Sequence, residues 1–238
     1  MTSGYSAQNT LLIWNYRKLL ELTNLSGPSQ TAETIDMTSH DSADGYKEFI
    51  AGLRDGGEIS IEGNFVPSDS AGQIAFHTDL QAGTRRTCWI VMPMSVGGSL
   101  LFTAMASGFE GSYPMDSKIS ISGALKVSGK PTLYVTASTG LTNLVGIEEN
   151  GGGALSITPA IAGTTYAYAC SVNTASSYIK LTPTAAAHTI YVQGTAVVTG
   201  NQSGEIALGA AGTTTDVFIM AYSASASPKL YKLTVTRP

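Results

Sequence analysis

Apolar residues recur at every second position over much of this chain, and that spacing predicts strands. In "GEISIEGNF" Ile59, Ile61 and Phe65 fall on one face and Ser60, Glu62 and Asn64 on the other, the pattern of a half-buried strand. "KISISGALKVSG" alternates through Ile119, Ile121, Leu125 and Val127, with Gly123 suggesting a bulge or bend. "TCWIVMPM" and "SLLFTAMA" are more continuously apolar, as strands buried on both faces would be, and Gly97-Gly98-Ser99 reads as the hairpin turn joining them. Two stretches break the strand pattern. In "DGYKEFIAGLRDGG" Tyr46, Phe49, Ile50 and Leu53 recur at i, i+3, i+4 and i+7, which predicts a helix capped by Ser42 or Asp44 and stopped by Gly56-Gly57. A weaker periodicity in "SAGQIAFHTDLQAG" predicts a second short helix or turn with an Ile74/His77/Leu80 face.

Between Leu25 and the first of these helices lies "SGPSQTAETIDMTSHDSA", a long polar loop. Loops of this length inside compact domains are uncommon, and are usually functional or disordered until bound. Farther on, "TASTGLTNLVGIEENGGG" reads as a junction, with Gly151-Gly152-Gly153 as a flexible turn. After it come about seven short strand candidates separated by turn clusters. Among them are "TYAYACSV", with Tyr166, Tyr168, Cys170 and Val172 on one face, and "KLYKLTVTRP", with Tyr231, Leu233 and Val235 on one face. Short strands with turns every ten or so residues predict a β-sandwich. The expected architecture is therefore mainly β: residues 1–137 form a first domain, a β-sandwich or barrel with one or two short flanking helices. Residues 138–238 form an immunoglobulin-like β-sandwich.

Composition sharpens this division. The chain has 238 residues and is 43% hydrophobic but only 13% charged, so uncharged polar residues must cover the strands. Residues 1–137 carry nine Lys/Arg against thirteen Asp/Glu, whereas residues 138–238 carry four of each. A net charge of −4 lacks the basic footprint of a nucleic-acid reader. No run approaches the roughly 18 apolar residues of a membrane span. The N-terminal segment lacks a basic start, an apolar core and a small-residue cleavage site, so no secretory signal is expected. Cys88 and Cys170 fall in different modules and strand-like contexts, which predicts two buried free thiols made in a reducing cytoplasm, with the sequons at Asn24 and Asn201 unused.

The most chemically loaded short run is "TIDMTSHDS", which gathers Asp36, His40 and Asp41 with the hydroxyls of Thr34, Thr38, Ser39 and Ser42. Imidazole and carboxylates suit zinc or manganese. A fixed metal site also needs rigid support and usually a further ligand, and one loop offers neither. Asp, Ser and Thr equally close turns and cap helices by bonding nearby backbone, and this is the reading preferred over a metal site or a catalytic group. His77 and His188 read as packed or solvated side chains. No Gly-x-Ser-x-Gly elbow, His-Glu-x-x-His pair or phosphate loop occurs, so no enzyme, metal or cofactor is expected.

Three ordered features carry a resemblance: a strand ending in "NLSGPS", the polar loop closing on "TIDMTSHDS", and "EFIAGL" running into "RDGGEISIEGNF". With "LFTAMASGFE" and "ISISGALKVSGKPTL" they resemble the major tail tube protein of lambda-type long-tailed phages, over roughly residues 5–135. The part ending "LYKLTVTRP" resembles cadherin-like or bacterial immunoglobulin-like sandwiches. The resemblance implies a structural virion protein, synthesised in the host cytoplasm, whose hexameric rings stack into a hollow tube. It also implies assembly around a tape-measure protein, contacts with tail tip and tail terminator proteins, and passage of DNA without sequence-specific binding. The loop from Ser26 to Ala43 is expected to order on ring stacking. The expected assembly residues are Asp36, Thr38, Ser39, His40, Asp41 and Ser42 in that loop, with Phe49, Ile50 and Leu53 on the helix. Glu58 and Glu62 are candidates for the lumen through strand alternation alone. The alternative is an adhesion module whose sandwich binds a cell-surface protein or glycan.

Overall fold

Alternating segments become strands here, and their pairing decides which residues are left uncovered. A computed structural model of the protein describes residues 5–93, 95–149, 153–162 and 165–238. The first part contributes β1 (Leu11–Trp14), β2 (Arg17–Lys18), β3 (Leu22–Ser26), β4 (Thr31–Asp36), β5 (Phe49–Asp55) and β6 (Glu58–Asn64). Helix α1 (Gln73–Ala82) follows, then β7 (Arg85–Val91) and the long strands β8 (Ser99–Ser112) and β9 (Ser120–Tyr134). Seven of these strands form one sheet in the order β2-β1-β7-β8-β9-β6-β3, while β4 and β5 pair separately as a two-stranded ribbon. The chain divides into two compact units: Leu19–Cys88 with Leu101–Thr132, and Met1–Lys18 with Trp89–Leu100 and Leu133–Pro238.

In the first-named unit, alternation sorts side chains onto two faces of the sheet. Ile59 and Ile61 of β6, Phe102, Ala104 and Ala106 of β8, and Ile121, Leu125 and Val127 of β9 are buried with Phe76 of α1. Each large side chain among them is worth roughly 1.5–3 kcal/mol of transfer free energy. No bulge interrupts the pairing of Gly123 with β6, since β6 and β9 pair without a register shift from Glu58↔Lys126 to Asn64↔Ser120. The glycine serves packing instead. A Cβ there would lie 3.1 Å from Ile61 Cγ1 and 3.2 Å from Phe76 Cε1.

Helix α1 forms where the weaker periodicity placed it, but it buries Gln73, Phe76 and Asp79, not an Ile74/His77/Leu80 face. Polar residues point inward because each is paired. Asp69 accepts bonds from the backbone N–H groups of Leu20, Gly72 and Gln73 at 3.2, 3.0 and 3.0 Å. The Gln73 amide donates to the Leu20 and Asn64 carbonyls and accepts from Val66 N–H. Arg86 closes a two-pronged pair on Asp79 at 2.9 and 2.6 Å, and this hydrogen bonding raises the arginine's pKa.

The helix expected over "DGYKEFIAGLRDGG" is not there. Phe49–Asp55 is strand β5, and only a short 3-10 turn, Ala43–Gly45, precedes it. Nor is the preceding loop structureless, since β4 occupies its middle. Apolar residues at 46, 49, 50 and 53 satisfy helical spacing, but backbone pairing with β4 overrides it. Gly57, expected to stop a helix, instead makes the turn from β5 into β6 at φ +81°, where a side chain would collide with the Ser29 carbonyl.

The other unit contains a sandwich of eight strands: β10 (Asn143–Glu148), β11 (Ala167–Ser171), β12 (Tyr178–Thr184), β13 (Thr189–Val192), β14 (Thr195–Val197), β15 (Ile206–Ala207), β16 (Thr213–Tyr222) and β17 (Lys229–Arg237). They form sheets ordered β10-β12-β15 and β11-β17-β16-β13-β14, with β11 and β17 parallel. The expected junction thus contains the first sandwich strand, β10; Gly151 and Gly152 of the expected flexible turn lie outside the described residues. Tyr168, Cys170 and Val172 meet Tyr231, Leu233 and Val235 in the core, as alternation predicted. Burial raises Tyr231 to about 12 and Cys170 to about 11. Both cysteines are buried free thiols. In the same unit the Tyr16 ring stacks on Tyr191 at 3.7 Å, and Trp89 lies 5.3 Å from Tyr222.

Candidate functional site

The β4–β5 ribbon is where the molecule leaves most unfinished. Its register runs Thr31↔Asp55 and Ala32↔Arg54, shifts by a bulge, and resumes Thr34↔Ala51, Ile35↔Ile50 and Asp36↔Phe49. Ile35 and Ile50 lie opposite each other on one face and Phe49 on the other, while Leu53 sits at the bulge. None is covered: Ile35 is 48% exposed, Ile50 50%, Phe49 55% and Leu53 80%, with Met37 and Tyr46 exposed beyond the strands. A lone two-stranded ribbon is marginal in water, and both faces of this one carry unburied apolar surface.

Polar contacts fix the two ends of the ribbon. At its base Lys126 pairs with Asp55 at 2.7 Å, and Asp55 also accepts from Gly57 N–H at 2.9 Å. The Lys126 hydrogen bond, then that backbone bond, lowers the Asp55 pKa. Ser29 N–H donates to the Glu58 carbonyl, tying the entry of the ribbon to β6.

At its tip the sequence "TIDMTSHDS" turns the chain. Asp36 accepts from Thr38 N–H at 2.9 Å, and the Thr38 donors lower its pKa ahead of a smaller contribution from Lys47 at 3.6 Å. Thr38 Oγ1 accepts from Glu48 N–H, and Met37 N–H donates to the Glu48 carbonyl, so the two chains stay joined beyond the strands. Ser42 Oγ accepts from Ser39 N–H, and Ser39 Oγ from Asp41 N–H. The hydroxyls of Thr38, Ser39 and Ser42 and the Asp36 carboxylate therefore bond backbone within the turn. Among the described residues no group of three or more His, Cys, Asp or Glu is placed to hold a metal ion. His40 and Asp41 sit exposed in the turn.

The structure brings the expected loop residues Asp36, Thr38, Ser39, His40, Asp41 and Ser42 together with Phe49, Ile50 and Leu53, on a ribbon and not beside a helix. Sequence reasoning passed over Ile35 and Met37, which lie within the quoted run. Their i, i+2 spacing was the available signal, masked by the polar residues around them. Glu58, Ser60 and Glu62 of β6 face away from the buried side of the sheet. Ala124 and Lys126 oppose Ser60 and Glu58 in β9, and Thr103, Met105 and Ser107 continue this face on β8. Of the residues just named, Glu58, Glu62 and Lys126 are charged and the others small or uncharged.

A mainly β subunit that holds out an apolar ribbon, with sheet edges at β2 and β3, is a building block with unmet contacts. Residues 1–134 match the family described as lambda phage tail tube protein, TTP. The chain belongs to that family: it is a structural protein of the virion tail tube. Residues 152–238 match the cadherin-like beta sandwich domain. Among solved structures, a chain of the virion of a native gene transfer agent particle is similar at 19% identity and TM-score 0.48, covering 55% of this chain and 98% of that one. A chain of the SPP1 tail tube is similar at 13% identity and TM-score 0.44, covering 57% and 82%. A chain from the sheath/tube terminator of an extracellular contractile injection system is similar at 10% identity and TM-score 0.46, covering 56% and 97%. No curated protein matches the chain.

Proposed function

We propose that the subunit closes with copies of itself into hexameric rings that stack into a hollow tube, and that the β4–β5 ribbon makes the contact between stacked rings. The observation that carries this is the ribbon's apolar exposure on both faces: a second copy supplies the burial that the free chain lacks. Asp36, Thr38, Ser39, His40, Asp41 and Ser42 shape the tip of that contact, and Phe49, Ile50 and Leu53, with Ile35, supply its apolar surface. Pairing of edge strands between neighbours within a ring removes the open edges of the seven-stranded sheet. Residues 1–137 form the tube wall and residues 138–238 an appended sandwich, a division supported by β10–β17 pairing with one another in two sheets.

The open face bearing Glu58, Ser60, Glu62 and Ala124 lines the channel, through which DNA passes after assembly around a tape-measure protein. Sparse charge with no basic excess, Glu58 and Glu62 against Lys126, suits that role, because a basic wall would hold phosphates in place. The tail tip and tail terminator meet the two ends of the tube. The role is structural and not catalytic.

Negative-stain microscopy of the purified protein tests this directly. Hollow tubes or six-fold rings are expected from the wild type, and their loss when residues 31–55 are replaced by a short Gly/Ser linker. Tubes formed equally well without the ribbon contradict the proposal.

A further inference from the structure

The ribbon leaves one end of its sheet, and a second exposed apolar group stands at the other end. Both belong to the unit formed by Leu19–Cys88 and Leu101–Thr132. Strands β6 and β9 pair from Glu58↔Lys126 to Asn64↔Ser120. At the first end Asp55 pairs with Lys126, and Gly57 turns the chain out of the ribbon into β6. At the second end β9 is entered from the β8–β9 turn, residues 113–119, and Phe65 N–H donates to the Ile119 carbonyl at 3.1 Å. Seven residues of paired strand separate the two ends, roughly 20 Å at the rise of a β-strand.

The turn is apolar where a solvated turn is ordinarily polar. Tyr113 is three-quarters exposed, Met115 wholly exposed and Ile119 about half exposed. Outside residues 31–55, the other large apolar side chains that this unit exposes, among the described residues, are Ile74 and Met105, each by little more than a third. Tyr113 is also held in place. Its ring folds back over Gly111, where a Cβ would lie 3.0 Å from Cε2 and collide with the hydroxyl. An aromatic side chain fixed before contact loses little conformational freedom on binding, as interface anchors do.

An assembly that extends without limit needs two different surfaces on each copy, because a surface that meets its own counterpart closes at two copies. The ribbon and the turn are such a pair, placed at opposite ends of one sheet. Side chains of this size, half or more exposed, carry roughly 100 Å² each. Ile35, Phe49, Ile50 and Leu53 on one side and Tyr113, Met115 and Ile119 on the other thus offer roughly 700 Å², most of the roughly 1,000 Å² that a specific interface must clear. Their polar neighbours supply the remainder.

We infer that the surface receiving the ribbon is the β8–β9 turn of a second copy, with Tyr113 and Met115 seated against the apolar side chains of β5. This rests on the ribbon being the contact between stacked rings, and it names the other half of that contact.

The test is thiol cross-linking of assembled tubes with a short bismaleimide, to which the buried Cys88 and Cys170 stay silent. Arg54→Cys and Ser117→Cys place thiols at exposed positions beside Leu53 and Met115 and leave the apolar groups intact. The double variant Arg54→Cys/Ser117→Cys is expected to give a ladder of dimers, trimers and longer chains. Arg54→Cys/Val198→Cys, with its second thiol on the sandwich, should give none. Separately, Tyr113→Ser/Met115→Ser should raise the polymerisation threshold at least tenfold at an unchanged melting temperature; if that variant misfolds, the cross-linking decides. Dimers from Arg54→Cys alone mean ribbon against ribbon, and dimers from Ser117→Cys alone mean turn against turn; either overturns the inference. So does a missing ladder, an equal ladder through Val198→Cys, or an unchanged threshold. Tubes lost without the ribbon but formed normally by Tyr113→Ser/Met115→Ser overturn this inference alone. Tubes that persist without the ribbon, or a wild type that forms none, overturn the reading beneath it as well.

Discussion

Replacing Leu53 with threonine removes most of one apolar side chain from the ribbon while keeping a β-branched residue suited to a strand. In the free subunit the leucine is 80% exposed, so almost none of its transfer free energy is realised there. An exposed substitution of this kind changes monomer stability by about 0.5 kcal/mol at most. If a neighbouring ring covers the side chain, assembly regains roughly 1.5–3 kcal/mol for a leucine, and the threonine forfeits most of it. A loss of about 2 kcal/mol per contact raises the concentration needed for polymerisation about thirtyfold. Pelleting assays over a concentration series measure that threshold, and thermal melting of the unassembled variant checks its fold. The expected result is a threshold shifted by one to two orders of magnitude with an unchanged melting curve. An unchanged threshold for Leu53→Thr, and again for Phe49→Thr/Leu53→Thr, refutes the assignment of this surface to the ring contact. A lowered melting temperature with an unchanged threshold refutes the claim that the leucine is idle in the monomer.

Other residues make separable predictions. Asp69→Ala leaves the backbone donors of Leu20, Gly72 and Gln73 without their buried acceptor and should cost about 3 kcal/mol in urea unfolding, a loss that Asp69→Asn partly restores. Asp36→Ala opens the turn at the ribbon tip and should impair polymerisation more than monomer folding; equal tube yield counts against that. The Asp55 carboxyl is held below its ordinary 3.8 by Lys126, so its contribution to stability is present above 3.8 and is lost as pH falls through the lower folded value. Carbon-detected NMR should find its midpoint below 3.8 and moved upward in Lys126→Met, and a midpoint unmoved by that substitution contradicts the pairing. Cys88 and Cys170 are buried, and burial raises the Cys170 thiol to about 11, so thiol reagents at neutral pH should label neither until the chain unfolds.

Legibility in the sequence followed the physics of burial. Strands with one buried face, such as Glu58–Asn64 and Lys229–Arg237, announce themselves by alternation because water selects every second residue. The ribbon did not, because neither of its faces is buried in the free chain. Phe49, Ile50 and Leu53 crowd both sides of β5, and that spacing imitates a helix. Helix α1 misled in another way: its inward face contains Gln73 and Asp79, which tolerate burial only through partners distant in sequence. The turn at "TIDMTSHDS" was legible because its hydroxyl and carboxylate bonds are local, spanning two to ten residues.

The central claim, that the β4–β5 ribbon is completed by another copy, is tested most directly by hydrogen exchange over residues 31–55 in free subunits and in assembled tubes. The account predicts rapid exchange of the outward amides in the free chain and strong protection of both strands in the tube. Equal exchange in the two states contradicts it.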